Sequence, residues 1–171
     1  MGFLRWLLLL SLAAWIGAIL FFSTVVAPLT FQHFPKPMAA EIAGLYLPRY
    51  YLFGSVCGIV ALVTILLLQA LAKRTDVGIV LTMLLIAVML GANLYASMVV
   101  QPKAHSLRPH ADATAMTTAP APEPLATTPA IAAESSAEFK QLHRLAMQLN
   151  TAVLLLGLVA LGFFSSRLRL S

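Results

Sequence analysis

Asn93 and Asn150 are the side chains of this sequence best placed to do chemistry, because each is an uncharged amide set inside a long apolar run. An amide in hydrocarbon needs a hydrogen-bond partner, so such a residue marks either an interhelical bond or a polar pocket. Asn93 stands seven residues before Val100, ~10 Å inside the end of its run at 1.5 Å per helical residue, and Asn150 lies at a comparable depth in the last run. His143 precedes Asn150 by seven residues on the same helix face, with Met147 between them, and Ser97 follows Asn93 by one turn. The spacing predicts that Asn93 and Asn150 meet, directly or through one water, with His143 capping the pocket and Ser97 and Tyr50 beside it. Interhelical bonding and a small cavity for a ligand or ion are both open at this point.

Other chemistry is thinly represented. Six acids, one cysteine and four histidines in 171 residues leave few ways to build a carboxylate pair, a nucleophile triad or a thiolate metal site. No catalytic residue, metal site or cofactor is therefore expected, and the protein reads as a non-enzyme. His33, His105 and His143 fall on one side of the membrane, and His143 with Met147 supplies imidazole and thioether one turn apart, the donors a copper or haem site uses. No second histidine lies deep in a facing helix, as an intramembrane haem would require. The formal charge of +5 is spread over span ends rather than gathered into a stripe, which points to lipid headgroups and away from nucleic acid.

The elements that must carry these side chains are four apolar runs, residues 3–26, 51–72, 77–100 and 145–164, none containing Asp, Glu or Lys. Each has the ~20 residues that a membrane-spanning helix needs. A composition 60% hydrophobic and 10% charged suits a bundle whose outer face meets lipid. The expected fold is an all-α integral membrane protein, a single four-transmembrane-helix bundle over 1–171 with a long disordered loop between helices 3 and 4.

Several local features refine that expectation. The first run is too long for a cleaved signal, and Pro28 reads as its stop. Residues 104–134, rich in Ala, Thr and Pro, form the flexible loop, and Ser135 to Glu138 match a capping box opening the last helix. Met38, Ile42, Leu45 and Tyr46 share one face of an interfacial helix interrupted at Pro48, with Arg49, Tyr50 and Tyr51 as headgroup anchors beyond it. Gly54 and Gly58 form a GxxxG suited to close helix packing. Lys73 and Arg74 in a short turn, with Arg5, Arg167 and Arg169 near the ends, predict both termini in the cytoplasm of a cell membrane, a bacterial inner membrane.

The stretch Phe139-Lys140-Gln141-Leu142-His143-Arg144-Leu145-Ala146-Met147-Gln148-Leu149-Asn150 resembles the opening of the last helix in the family called domain of unknown function 4149, related to transmembrane protein 205. Ala14-Trp15-Ile16-Gly17, Val26 to Pro28, Leu47-Pro48-Arg49-Tyr50-Tyr51, and Asn93 with Pro102 are similar to its other landmarks. The resemblance covers the chain outside the Ala/Thr/Pro loop. Where the family often has Ser three residues after the His, this chain has Ala146, so a role for that hydroxyl does not carry over. The resemblance implies a four-helix integral membrane protein without an established reaction.

Three function classes follow. The first is binding or transport of a small solute or ion at the polar pocket; the second is an accessory or assembly subunit of a larger membrane complex. The third is a haem, copper or pigment protein. Expected partners are the lipid bilayer and a membrane protein or a second copy of the chain.

Overall fold

The computed structural model describes residues 2–72, 77–106 and 129–168, and the described residues are helical apart from a short turn at residues 34 and 35. Four rods account for them. α1 runs through Gly2–Phe21, a π-helical turn Phe22–Val26 and Ala27–His33; α2 is Lys36–Ala72. α3 runs through Val77–Tyr95, a second π-helical turn Ala96–Val100 and Gln101–Ser106; α4 is Pro129–Leu168. All four are long and apolar enough to cross a membrane, and the chain is a multi-pass membrane protein. Helices satisfy their backbone polar groups internally, which hydrocarbon demands.

Packing runs around a ring: α1 lies against α2 and α4, and α3 lies against the same two. The inward faces follow a spacing of four and three: Leu8, Leu12, Trp15 and Ile19 on α1, and Thr82, Ile86, Met89, Asn93, Ala96 and Val100 on α3. On α2 the same spacing gives Gly54, Gly58, Ala61, Ile65 and Leu68; on α4 it gives Val153, Gly157, Ala160 and Phe164. Such a 3.5-residue period suits the shallow left-handed crossing of membrane bundles. Leu10, Leu66, Leu84 and Leu158 point outward, as residues facing lipid should.

The helices are longer than the apolar runs because three prolines do not stop them. Pro28 was expected to end the first span, yet the helix continues to His33. Proline removes an N–H and crowds the carbonyl four residues back; the wider turn Phe22–Val26 just ahead of it, closed by Ala27 N–H bonding to Phe22 O, relieves both. Thr24 and Thr30 hydroxyls donate to Leu20 O at 2.7 Å and Val26 O at 2.8 Å within the same stretch. Pro102 is passed in the same way by the turn Ala96–Val100. Pro48 was expected to break an interfacial helix, but α2 runs through it for 37 residues. Arg49 supplies a local donor, its Nη1 bonding to Leu45 O at 2.8 Å.

The last helix also departs from expectation. It begins at Pro129, ahead of Ser135, so the proposed capping box lies inside it. A proline is tolerated in a first turn, where its missing N–H has no helical partner. The expected loop over 104–134 is helical at both margins, and its middle, 107–128, lies outside the described residues, as does the Lys73–Arg74 turn.

Candidate functional site

Both amides sit toward the end of the bundle that carries the 34–35 turn, here the turn end, but they belong to different clusters. Asn93 is buried on α3 and faces α2, where its Nδ2 donates to Tyr51 O at 3.1 Å and to Ser55 Oγ at 2.9 Å. Ser55 in turn donates to Tyr51 O at 2.9 Å. Gly54 makes room for this cluster: a Cβ there would lie 2.9 Å from Asn93 Oδ1 and 2.8 Å from the Trp15 indole nitrogen. One turn on, a Cβ at Gly58 would meet the Trp15 ring and Leu90, both at 2.9 Å. The two glycines of the GxxxG thus hold α2 against Trp15 of α1 and the amide of α3. The cluster is closed, and it works as a clamp between α2 and α3.

Asn150 belongs to a more open arrangement. Half-buried on α4, it accepts a 2.5 Å bond from the Tyr50 hydroxyl of α2 and donates from Nδ2 to Ser23 Oγ of α1 at 3.2 Å. One side chain therefore ties three helices. Tyr50 stacks on Phe22 with centroids 4.3 Å apart and planes at 25°, and Phe22 meets the edge of Tyr46 at 5.3 Å. Tyr51 closes the row against Tyr50 at 5.2 Å. The Tyr46 hydroxyl is buried and has no hydrogen-bond partner among the described residues. Buried hydroxyls are normally satisfied, so this one marks a place where a polar group belongs.

The expected Asn93–Asn150 bond is not formed, since each amide is held by other partners. Equal depth fixes height along the bundle but not direction around each helix, and Asn93 is turned toward α2 while Asn150 is turned toward α1 and α2. Ser97 is half-buried one turn beyond Asn93 and stands outside both clusters. Tyr51, expected as a headgroup anchor, is buried within the bundle, whereas Arg49 is exposed. His143, expected to cap the pocket, is exposed on α4, where it lines an open cleft of about 420 Å³ with Lys140, Arg144 and Met147. Among the described residues no three His, Cys, Asp or Glu side chains gather as a metal site would require.

Sequence reasoning did not single out Trp15, Ser55, Phe22 or Tyr46 as site residues. Trp15 left one trace, because a GxxxG buried inside a monomer asks for a large partner to lie on it. Phe22 left another: it opens the π-helical turn that Pro28 requires.

A family model described as a domain of unknown function, DUF4149, matches residues 10–112, more than half of the chain. The match takes in most of α1 and all the described residues of α2 and α3, and it ends before α4 and Asn150. No curated protein and no solved structure matches the chain.

Proposed function

Because the chain belongs to the DUF4149 family, whose description assigns no activity, we propose a function from the geometry alone: a non-enzymatic membrane protein that binds a small solute in the Tyr50–Asn150–Ser23 cluster. The observation that supports it most is the pairing of a half-buried amide bridging three helices with the unpartnered, buried Tyr46 hydroxyl on the same aromatic row. The groups at hand are hydroxyls, one amide and the faces of Phe22, Tyr46 and Tyr50, with no ionised side chain among them. Such a lining suits a molecule with an apolar body and a hydrogen-bonding group, or a weakly hydrated organic cation lying on the ring faces. The Asn93 cluster is satisfied internally and serves packing.

The corresponding orientation places both termini in the cytoplasm of a bacterial inner membrane, supported by the dense cations near the short turn and the ends. A relation to transmembrane protein 205 rests on the landmark motifs from Ala14 to Asn150. A second reading, an accessory subunit of a membrane complex or a homo-oligomer, is favoured by α4: only 17% of its apolar window is buried, against 50% for α2. Lipid or a partner helix covers the remainder.

The test uses detergent-purified protein, screened by thermal shift against neutral aromatic alcohols and quaternary ammonium ions. A compound that raises the midpoint for the parent and for Asn93→Leu, but not for Asn150→Leu or Tyr50→Phe, supports the reading. Stabilisation that survives both Asn150→Leu and Tyr50→Phe would overturn it.

A further inference from the structure

The sequence repeats itself. Gly17-Ala18, Leu20, Ser23, Val25-Val26 and Pro28 of α1 recur as Gly91-Ala92, Leu94, Ser97, Val99-Val100 and Pro102 of α3 at a constant offset of 74. Gly58-Ile59-Val60-Ala61-Leu62 of α2 recurs as Gly157-Leu158-Val159-Ala160-Leu161 of α4 at an offset of 99. The longer second offset falls in the longer α3–α4 connection.

The structure repeats with the sequence. The π-helical turn Phe22–Val26 maps onto Ala96–Val100, each just ahead of its proline. Buried Leu8, Leu12, Trp15, Ile16 and Ile19 map onto buried Thr82, Ile86, Met89, Leu90 and Asn93; exposed Gly17 maps onto exposed Gly91. The glycine contacts are the strongest sign. A Cβ at Gly58 would meet Trp15 and Leu90, and one at Gly157 would meet Ile16 and Met89. Exchanging the repeats turns Trp15 into Met89 and Leu90 into Ile16, so one set of contacts becomes the other. α1 and α3 cross in the same direction, so the relation is a parallel repeat about an axis along the membrane normal.

This symmetry pairs the α2–α3 seam with the α4–α1 seam, and it shows where they differ. In the first seam Asn93 bonds to Ser55 and to the Tyr51 carbonyl. Their counterparts in the second are Ile19, Leu154 and Asn150; Ile19 and Leu154 lie in one apolar cluster, and beside them the seam is bridged by Asn150 Nδ2 donating to Ser23 Oγ of α1 at 3.2 Å, a bond a gate must open. We propose that the chain is a duplicated helical hairpin whose two equivalent seams have diverged, α2–α3 into a polar clamp and α1–α4 into a lateral gate through which a membrane-dissolved molecule reaches Asn150. The gating role rests on the binding function proposed above. The duplication does not.

Two measurements without any ligand test it. The first transplants the clamp: Ile19→Asn alone lowers the thermal midpoint, because it buries an unpaired amide, and Leu154→Ser added to it restores part of the loss. Equal or greater loss in the double variant would overturn the equivalence of the seams. The second measures motion with spin-label pairs at exposed positions in a Cys57→Ser background, Gly17 with Leu155 across the gate and the equivalent Gly91 with Val56 across the clamp. The pairs should share a mean distance, with the broader distribution across α1–α4. Means differing by more than ~5 Å, one helical turn, would refute the duplication, and equal widths would refute the gate. The distance means and widths stand even if the transplanted amide prevents folding, and neither measurement depends on finding the bound solute.

Discussion

Replacing Gly54 by alanine should destabilise the bundle, although the same change at Gly17 should strengthen it. An added methyl at Gly54 would sit 2.8 Å from the Trp15 indole nitrogen and 2.9 Å from Asn93 Oδ1, distances that Cβ contacts do not adopt. Either Trp15 or the amide must move. Trp15 is 1% exposed and wedged between helices, so the strain falls on Asn93 and its two bonds to α2. Overpacking a filled core costs ~1–3 kcal/mol, and interhelical bonds in membranes average ~0.6 kcal/mol each. Against this, alanine in a helix interior is ~1 kcal/mol better than glycine. The net expectation for Gly54→Ala is a loss of ~1–3 kcal/mol. Nothing lies within 4 Å of a Cβ at Gly17, so Gly17→Ala retains the propensity gain alone. Reversible unfolding in mixed micelles, followed by far-ultraviolet dichroism, measures both. Gly54→Ala equal to or more stable than Gly17→Ala would refute the packing argument.

Asn93→Leu and Asn150→Leu should each cost ~0.6–1.7 kcal/mol and add within ~0.5 kcal/mol in the double variant, because the two amides share no partner; a double-variant cycle in the same assay checks this. Lys103→Ala breaks a 2.9 Å ion pair with Glu138 that water screens, so its effect on the unfolding midpoint should be small and shrink further with added salt. Pro48→Ala should stabilise α2 by restoring a helical N–H, seen as slower amide exchange around Gly44. A single cysteine at Thr118, in a Cys57→Ser background, should react with an impermeant maleimide in intact cells; labelling only after lysis would invert the proposed orientation.

The number of spans was legible because apolar length alone decides it, and hydrocarbon permits few alternatives to a helix. Their ends were not. Pro28 and Pro48 each read locally as a stop, yet the first is relieved by a widened turn just ahead of it, and the second sits beside an arginine that bonds back to Leu45. The depth of Asn93 and Asn150 could be counted from span ends, which placed both toward the turn end. Their bearing around the helix could not, because that depends on where the neighbouring helix offers room or a hydrogen-bonding group. Gly54 decides it for Asn93, and Ser23 with Tyr50 decides it for Asn150. Trp15 was hidden for a related reason: an indole inside an apolar run looks like a lipid-facing residue until its glycine partners are found.

The unbroken course of α2 has a mechanical consequence. At 1.5 Å per residue its 37 residues reach ~55 Å, whereas the hydrocarbon layer is ~30 Å thick, so the rod stands well clear of the bilayer. A hydrogen-bonded helix resists bending and twisting, and beyond Pro48, where one backbone bond is missing, the ladder meets no further proline, so Tyr50 is coupled to Leu71 on the opposite side. Torque that reaches Tyr50 turns Gly54 and Gly58 with it. α2 is in that sense an axle through the membrane, with the aromatic row and the glycine faces as its teeth.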